Sequence, residues 1–333
     1  MARFQAIHVS DFHFGRRGGR PNVATLVENP EGAVTAGRVW SSLRGFHRQV
    51  THDPDVALQV ARFLVERVRP GSLLLVSGDV AATGLDADLA VGLAFLCEPP
   101  GAMGRHLTAS LKPTVAGARL NVCLVPGNHD RYRSDLGIPG STAFDRKFQA
   151  FWGDPNPSVV AKVVLHEDGE TKLAVVAADL CLAQGDWSAT SWGHYGHGRA
   201  TARVIDLLAT RTSALRDRHP GVGVVWMLHF PPALKDGDVP ASLRLIDQQL
   251  VTDAASRMDV RLILAGHTHR SAVTTSGDLT VACAGSATFF MATRGHYIHE
   301  VEIDVDGGIA TLAARSDHRW DDVFGGFVEV ARA

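Results

Sequence analysis

The sequence predicts an α/β protein whose core is a mixed β-sheet with helices packed outside it. Strands and helices alternate along most of the 333 residues, a pattern typical of a sheet covered by helices. Several of the predicted strands are short and wholly apolar, as buried strands are. From about residue 272 onward the pattern alternates with a period of two, which predicts a β-rich C-terminal part at 272–333.

The first half of the chain contains three segments that we predict as strands. The helix after the first of them begins at Asp53, an N-cap residue, has Pro54 at its first position and ends before Pro70. In chain order we predict a strand at 3–9, this helix, a strand at 73–76, a helix at 86–96, a strand at 120–125 and a helix at 142–152.

The second half begins with a predicted β-hairpin, because two strand-like segments flank the turn residues 167–170. Helical and buried-strand patterns then alternate until the β-rich part begins. In chain order we predict strands at 159–166 and 172–178, a helix at 201–216, a strand at 223–228, a helix at 242–258 and a strand at 260–265.

The composition is typical of a globular protein, with 45% hydrophobic and 20% charged residues. A formal net charge of −2 provides no global basic field for nucleic acid or an anionic membrane. The four cysteines form no C-x-x-C pair, and we find no signal peptide and no apolar run of about 18 residues. We therefore expect a cytoplasmic protein without a membrane partner, forming a single domain over residues 1–333.

The longest connection between predicted elements is an Arg-rich insertion at about 14–53, which has little periodicity. One interpretation is a solvated loop or a contact in an oligomer. The other is a lid whose arginines, Arg17 among them, hold the phosphate of a substrate. The residue pattern leaves both interpretations open.

Side chains of the kind that bind metals follow five of the predicted strands. Each segment alone is ordinary, since an Asp after Gly is often a turn residue and a His after an apolar run is often part of the core. In open α/β sheets, however, ligands bind outside the carboxyl ends of strands, so we expect these segments to converge. They are Asp11 with His13, Asp79, Asn128 with His129, His229, and His267 with His269.

The chemistry of these donors favours two metal ions. Mixed Asp, Asn and His donors suit Mn, Fe, Zn, Co or Ni better than Ca or Mg, and the absence of cysteine disfavours a structural zinc site. The donors are too many for one four-coordinate ion and about enough for two. Asp79, alone on its loop, is the natural bridge between them, and two ions about 3.5–4 Å apart are the arrangement used for in-line attack on phosphorus.

In chain order the motifs are D-x-H, G-D, G-N-H-D, H and G-H-x-H, and this series resembles the calcineurin-like metallophosphoesterase superfamily. The motifs span residues 11–269, which is most of the chain. The resemblance implies a four-layer αββα fold, in which two mixed β-sheets pack as a sandwich with helices on both outer faces.

The resemblance also implies a role for each motif residue. The first metal would be bound by Asp11, His13, Asp79 and His269. The second metal would be bound by Asp79, Asn128, His229 and His267. A hydroxide bridging the two ions would attack phosphorus, and His129 would stabilise the transition state or protonate the leaving oxygen. Asp130 would orient His129 or a ligand loop, unless it is a simple cap.

Differences from the motifs of two branches of the superfamily indicate which branch the chain resembles most. Purple acid phosphatases have a Tyr ligand where this chain has Ala82, and the G-D-x-x-D-R-G of protein phosphatases is absent. The pattern is most similar to bacterial cyclic-nucleotide phosphodiesterases. The alternatives are an SbcD-like DNA nuclease, a pyrophosphohydrolase or broad phosphoesterase, and, more remotely, a scaffold without catalytic activity. We thus expect a small phosphodiester or nucleotide as substrate rather than nucleic acid.

Candidate substrate contacts lie outside the metal motifs. Arg131 directly follows the G-N-H-D motif, and His197 belongs to a Trp- and His-rich loop at 182–198 that would stack on a base. Together with Arg17 they are the contacts we predict for the substrate. Ordinary surface positions and packing at the rim of the site are the alternatives. The sequence leaves the oligomeric state open.

Overall fold

The structure is a computed structural model that describes eleven stretches of the chain. These are residues 1–15, 52–67, 72–99, 110–111, 120–133, 139–152, 163–168, 171–182, 196–240, 243–289 and 295–330. Most of the predicted Arg-rich insertion, including Arg17, lies outside them.

The described elements follow the alternation expected from the sequence. The helices are α1 (Pro54–Arg67), α2 (Asp86–Cys97), α3 (Ala143–Lys147), α4 (Gln149–Trp152), α5 (Ala202–Arg218) and α6 (Gln249–Arg257). The strands are β1 (Ala2–Val9), β2 (Ser72–Val76), β3 (Leu120–Leu124), β4 (Val163–Asp168), β5 (Thr171–Ala178), β6 (Gly198–Arg199), β7 (Gly223–Leu228), β8 (Leu245–Ile246), β9 (Leu262–Ala265), β10 (Ala272–Ser276), β11 (Leu279–Cys283), β12 (Tyr297–Asp306), β13 (Ile309–Asp321) and β14 (Gly326–Val330).

The strands form two mixed six-stranded sheets. The first has the order β14-β13-β12-β1-β2-β3, and β1, β2 and β3 run parallel while β12, β13 and β14 pair antiparallel. The second has the order β10-β11-β9-β7-β5-β4, in which β5, β7, β9 and β11 are parallel and the two edge strands antiparallel. Parallel strands in both sheets place several carboxyl ends at one edge of the molecule.

Each strand at the centre of the second sheet is buried on both faces. In β7, Val225 and Met227 join the core that includes side chains of the first sheet, whereas Val224 and Trp226 join a second core that includes α5 and α6. Because side chains alternate across a strand, the second sheet lies between the first sheet and this helical layer.

The other outer face carries α1. Its buried side chains belong to the core of the first sheet, and Phe63 on α1 packs against Phe327 on β14 with ring centroids 6.0 Å apart. The predicted fold class, two mixed sheets flanked by helices, is therefore confirmed. No helix in the described part of the chain is long and apolar enough to cross a membrane.

The predicted helix at 242–258 is wrong in its first half. Leu245–Ile246 instead forms β8, which pairs in parallel with β6, and α6 begins only at Gln249. Asp247 between them has a φ of 58°, a left-handed conformation that does not fit a right-handed helix. The predicted helix at 142–152 is similarly divided at Phe148 into α3 and α4.

Candidate metal centre

The carboxyl ends of β1, β2, β3, β7 and β9 meet at one place between the two sheets. Two hydrogen bonds join them across the sandwich. His229 Nδ1, after β7, donates to the carbonyl of Ser77 after β2 over 2.7 Å, and the backbone N–H of His267, after β9, donates to Asp11 Oδ2 over 3.0 Å. The segments predicted to converge therefore do converge.

Asp11, His13 and His269 form a first cluster of donor atoms. His269 Nε2 lies 3.0 Å from Asp11 Oδ1 and 3.3 Å from His13 Nε2, while His13 Nε2 lies 3.7 Å from Asp11 Oδ1. The side chains of Asp11 and His13 are almost fully buried, at 0% and 1% exposed. Two nitrogens and a carboxylate oxygen facing one another at these distances are a donor set that fits a transition-metal ion.

Asp79, His229 and His267 form a second cluster. His229 Nε2 lies 3.3 Å from Asp79 Oδ2 and 3.1 Å from the Oδ1 of Asn128. His267 Nε2 is buried and makes no hydrogen bond, although an unpaired buried nitrogen of this kind is costly. A metal ion at this point would satisfy that nitrogen, so the second cluster also fits a metal.

Asp79 connects the two clusters. The same oxygen, Oδ2, lies 3.7 Å from His13 Nε2 on one side and 3.3 Å from His229 Nε2 on the other. This is the position expected of a carboxylate shared by two ions. It is also the geometry that makes two neighbouring metal sites possible.

Burial and neighbouring charges shift the pKa values of the clustered side chains in opposite directions. Burial by itself would raise the pKa of Asp11 and Asp79, but the neighbouring histidines, His269 and His229 respectively, hold both pKa values below the usual range. Burial would likewise lower the pKa of His229, yet the charge of Asp79 raises it to about 9. Burial lowers the pKa of His267 well below its usual value.

Glycine is needed at the G-N-H-D turn for space. A Cβ atom added to Gly127 would overlap both the side chain and the backbone nitrogen of Asp79. The turn after β3 can thus approach the loop after β2 only if this residue has no side chain.

His129 lies beside the clusters and is partly buried, as His269 is. Its Nδ1 donates to the carbonyl of Ala82 over 2.8 Å, and because a carbonyl only accepts, Nδ1 carries a proton. Its backbone N–H donates to Asp79 Oδ1 over 2.8 Å, and its ring centroid is 4.4 Å from that of His13.

Asp130 holds two loops together. Its carboxylate accepts hydrogen bonds from the backbone N–H groups of Gly127, Val80 and Ala81 at 2.9, 3.1 and 2.8 Å. Burial and the charge of Asp79 raise the pKa of Asp130 to about 7, although the three donors favour its charged form. Of the two roles predicted for Asp130, this geometry matches the support of a ligand loop.

The buried position of Arg131 does not fit the contact with a substrate that the sequence predicted. The guanidinium is buried between two carboxylates that the sequence did not single out, Asp145 on α3 at 2.6 Å and Asp179 after β5 at 2.7 Å. Its side chain is 4% exposed, so its donors are directed into the protein. The sequence offers no signal for this ion triad because its members lie 14 and 48 positions apart.

Other residues near the clusters were also missed from the sequence. Tyr132 accepts a hydrogen bond from Asn128 Nδ2 over 2.7 Å, which turns the amide oxygen of Asn128 toward His229. Phe289 packs on His13 with a centroid distance of 4.2 Å. His197, the remaining predicted substrate contact, is partly buried before β6 and belongs to none of the potential metal groups among the described residues.

A known protein is similar in sequence to part of the chain. A probable cyclic nucleotide phosphodiesterase of Rhodococcus erythropolis is 31% identical over 115 residues, which cover 34% of this chain and 34% of that protein. The chain therefore matches only about a third of the length of this relative.

Solved structures with a similar fold have low sequence identity. The calcineurin-like phosphoesterase YfkN of Bacillus subtilis is 12% identical with a TM-score of 0.43, and the match covers 95% of this chain and 90% of that one. A purple acid phosphatase from yellow lupin is 10% identical with a TM-score of 0.47, and the match covers 98% of this chain and 53% of that one.

The family comparison is broader than either of these. The sequence pattern of the family described as calcineurin-like phosphoesterase matches residues 4–271, a range that contains every predicted metal-binding residue. The two mixed sheets and the paired His and Asp clusters agree with that match. The chain belongs to the calcineurin-like phosphoesterase family.

Proposed function

We propose that this protein is a dinuclear metal-dependent phosphodiesterase that hydrolyses a small phosphodiester such as a cyclic nucleotide. The observation that carries the proposal is the position of Asp79 Oδ2, within 3.7 Å of histidine nitrogens from both clusters. A single buried carboxylate oxygen placed between two sets of donors is what a two-metal phosphoesterase requires.

The proposed ligands divide between the two ions as the clusters do. Asp11, His13 and His269 would hold the first ion, Asn128, His229 and His267 would hold the second, and Asp79 would be shared between them. When bound, the two ions, for which Mn, Fe or Zn are the candidates, supply a nucleophile at neutral pH and neutralise charge on the phosphoryl group.

His129 is the proposed proton donor to the leaving oxygen, and it donates from Nε2 as the imidazolium, in which both ring nitrogens carry a proton. The hydrogen bond from Nδ1 to the carbonyl of Ala82 fixes the ring, and Nε2 is directed to the same space as Asp79 and His13. A positioned general acid of this kind typically contributes 10²–10⁴-fold to the rate. Asp130 supports this arrangement by holding the turn that carries His129 against the loop after β2.

Two observations support a small diester as the substrate, the first by favouring a diester and the second by disfavouring nucleic acid. The partial relative is a probable cyclic nucleotide phosphodiesterase, and the formal net charge of −2 provides no global attraction for a long polyanion. The second candidate, a DNA nuclease, is favoured by the residues Asp11-Phe12-His13-Phe14-Gly15, which match the D-x-H-x-G of SbcD-like nucleases.

The proposal is tested with a panel of substrates and Mn²⁺ added to the metal-free protein. The panel contains cyclic nucleotides, single- and double-stranded DNA, a nucleotide-sugar pyrophosphate and a phosphomonoester. We expect the highest kcat/KM for a cyclic nucleotide. Preferential cleavage of DNA would instead favour the nuclease, and no turnover on any member would contradict enzymatic activity.

The variant His129→Gln, assayed on the same panel, tests the proposed role of His129. We expect kcat to fall by about 10²–10⁴-fold on the best substrate, because the general acid is lost. The Mn²⁺ content of the variant, measured by elemental analysis, should stay at that of the unaltered protein, since His129 is not a proposed ligand. Unchanged turnover would show that His129 has no catalytic role.

A further inference from the structure

A network of buried polar side chains lies beside the first cluster and takes no part in the proposed reaction. Its members are Ser271, His299, Arg315 and Asp317. Three of them come after residue 271, where the match to the family pattern ends. The side chains of His299 and Arg315 are 0% exposed and that of Asp317 is 13% exposed. Burying so many polar groups is costly unless each is paired, and here the pairing is extensive.

The hydrogen bonds of His299 identify its tautomer. The backbone N–H of Gly285 donates to His299 Nε2 over 2.9 Å, so Nε2 carries no proton. The proton of the ring is therefore on Nδ1, which donates to Asp317 Oδ1 over 2.8 Å and also lies 2.9 Å from Arg315 Nη2. Asp317 thus fixes the orientation in which His299 receives the N–H of Gly285.

Ser271 connects Asp317 to one side of the first cluster, since it lies two residues after His269. The hydroxyl of Ser271 donates to Asp317 Oδ2 over 2.5 Å and accepts from Arg315 Nη2 over 2.6 Å. Arg315 Nε also donates to Asp317 Oδ1 over 2.6 Å, which fixes the carboxylate. The segment that follows His269 is consequently held by two charged side chains of β13.

His299 connects Asp317 to the other side of the first cluster. Gly285, whose N–H is bound by His299, directly precedes Ser286. The hydroxyl of Ser286 donates to the backbone carbonyl of Asp11 over 2.8 Å. Asp11 Oδ1 and His269 Nε2 are only 3.0 Å apart, so the two connections end at one pair of proposed ligands.

We propose that Asp317 is a positioning residue for the first metal site, holding His269 through Ser271 and Asp11 through His299 and the 285–286 segment. The inference rests on the proposed dinuclear centre. Groups that orient metal ligands from outside typically affect metal affinity by 10- to 100-fold. A network that only joined the two sheets would stabilise the protein equally with and without metal, and this difference separates the two roles.

Asp317→Asn is the variant that tests the proposal, because it keeps the shape of the side chain and removes its charge. Asp304→Asn is the matched control. Asp304 lies on β12 of the same sheet and pairs with Arg3 over 2.7 Å, at the end of β1 away from Asp11. Metal-free proteins would be titrated with Mn²⁺, following binding by calorimetry and by the electron paramagnetic resonance of free Mn²⁺.

We expect the unaltered protein and Asp304→Asn to bind two equivalents of Mn²⁺ with the same affinities. Asp317→Asn should bind one equivalent about 10- to 100-fold more weakly and the other with unchanged affinity. The rise in Tm on adding Mn²⁺ should also be smaller for Asp317→Asn than for Asp304→Asn, because a ligand stabilises the folded state less when it binds more weakly.

Three results would overturn the inference. If Asp317→Asn lowered the Tm of the metal-free protein but left both affinities unchanged, the network would only join the sheets. If the unaltered protein bound no Mn²⁺, the proposed dinuclear centre would fail, and this inference with it. Should Asp317→Asn fail to fold, Ser271→Ala removes one of the two connections, and unchanged affinities in that variant would overturn the proposal.

Discussion

The loops after β1, β2 and β9 and the turn after β3 carry proposed ligands of one metal centre, but different forces hold them in place. In the loops, the ligand residues themselves have left-handed backbone conformations, with φ between 52° for Asp79 and 67° for His267. In the turn, Asn128 has an ordinary φ of −63° and the neighbouring side chains are buried in ion pairs and hydrogen bonds.

Left-handed conformations are unfavourable for residues with a side chain and cost on the order of 1–3 kcal/mol each where the surroundings enforce them. Five proposed ligands adopt them, namely Asp11, His13, Asp79, His267 and His269. Their backbones are supported from outside, as by the hydrogen bonds from the N–H groups of Asp11 and His13 to Gly78 and Asp79. Strain of this kind concentrates where function dictates the conformation.

The turn after β3 is held by charge instead. Arg131 is paired with two buried carboxylates, and Asp130 accepts three backbone N–H groups. We therefore expect substitutions of the ligands in the loops to act mainly on metal binding, whereas substitutions of the supporting residues Asp130 and Arg131 in the turn act mainly on stability.

Substitution Asp79→Asn should have the largest effect, on metal binding. Removing the shared carboxylate charge should weaken Mn²⁺ binding by more than about 100-fold, since even groups behind the ligands matter by 10- to 100-fold. Activity on the best substrate should fall with it. Elemental analysis and Mn²⁺ titration provide the measurement, and retention of two tightly bound ions would contradict the bridging role.

Substitution Arg131→Met should have the largest effect on stability. It leaves Asp145 and Asp179 buried without their partner, which typically costs about 3–5 kcal/mol. Urea unfolding of the metal-free protein measures the change. The result would also decide the role of Arg131, since unchanged stability with a raised KM would place it at the substrate after all.

Arg146→Met is the control for that measurement. Arg146 also pairs with an Asp, at 3.0 Å from Asp86, but both side chains are more than 60% exposed. Exposed ion pairs contribute little, so the urea midpoint should not change measurably. An equal loss in Arg146→Met and Arg131→Met would mean that burial of the triad contributes nothing.

Substitution Asp130→Asn should have a smaller effect, on both stability and Mn²⁺ binding. The amide of Asn keeps one acceptor oxygen, but its NH₂ group would face at least one backbone N–H. Two donors facing each other lower the free energy of unfolding by about 1–3 kcal/mol. Because Asp130 joins the loop after β2 to the turn after β3, we expect some loss of Mn²⁺ affinity as well. Urea unfolding and Mn²⁺ titration of the same samples would separate the two, and a loss of affinity without a loss of stability would contradict the account.

Much of the fold was predictable because it depends on local patterns. The parallel strands β2, β3, β7 and β9 are short apolar runs, and the period-two alternation after residue 272 correctly predicted strands there. The helix predicted at 242–258 was wrong because apolar spacing does not report the left-handed conformation of Asp247 or the pairing of β8 with β6.

The proposed ligands could be predicted from local patterns too, since each follows a strand that the sequence pattern identifies. The residues that hold them were not found. Arg131 pairs with Asp145 and Asp179, and Ser271 hydrogen-bonds to Asp317. The partners in these contacts lie 14 to 48 positions apart in the sequence. In the sequence these are ordinary polar residues with no distinguishing neighbours.

Local sequence, then, was enough to establish the alternating elements, the reaction class suggested by the motif series and the donors at the strand ends. Those properties depend on neighbouring residues, so they can be read along the chain. The sharing of Asp79 Oδ2 between two clusters, the burial of Arg131 and the support of the first cluster by Asp317 required the folded chain. They depend on which side chains two packed sheets bring within a few ångströms, and sequence distance carries no information about that.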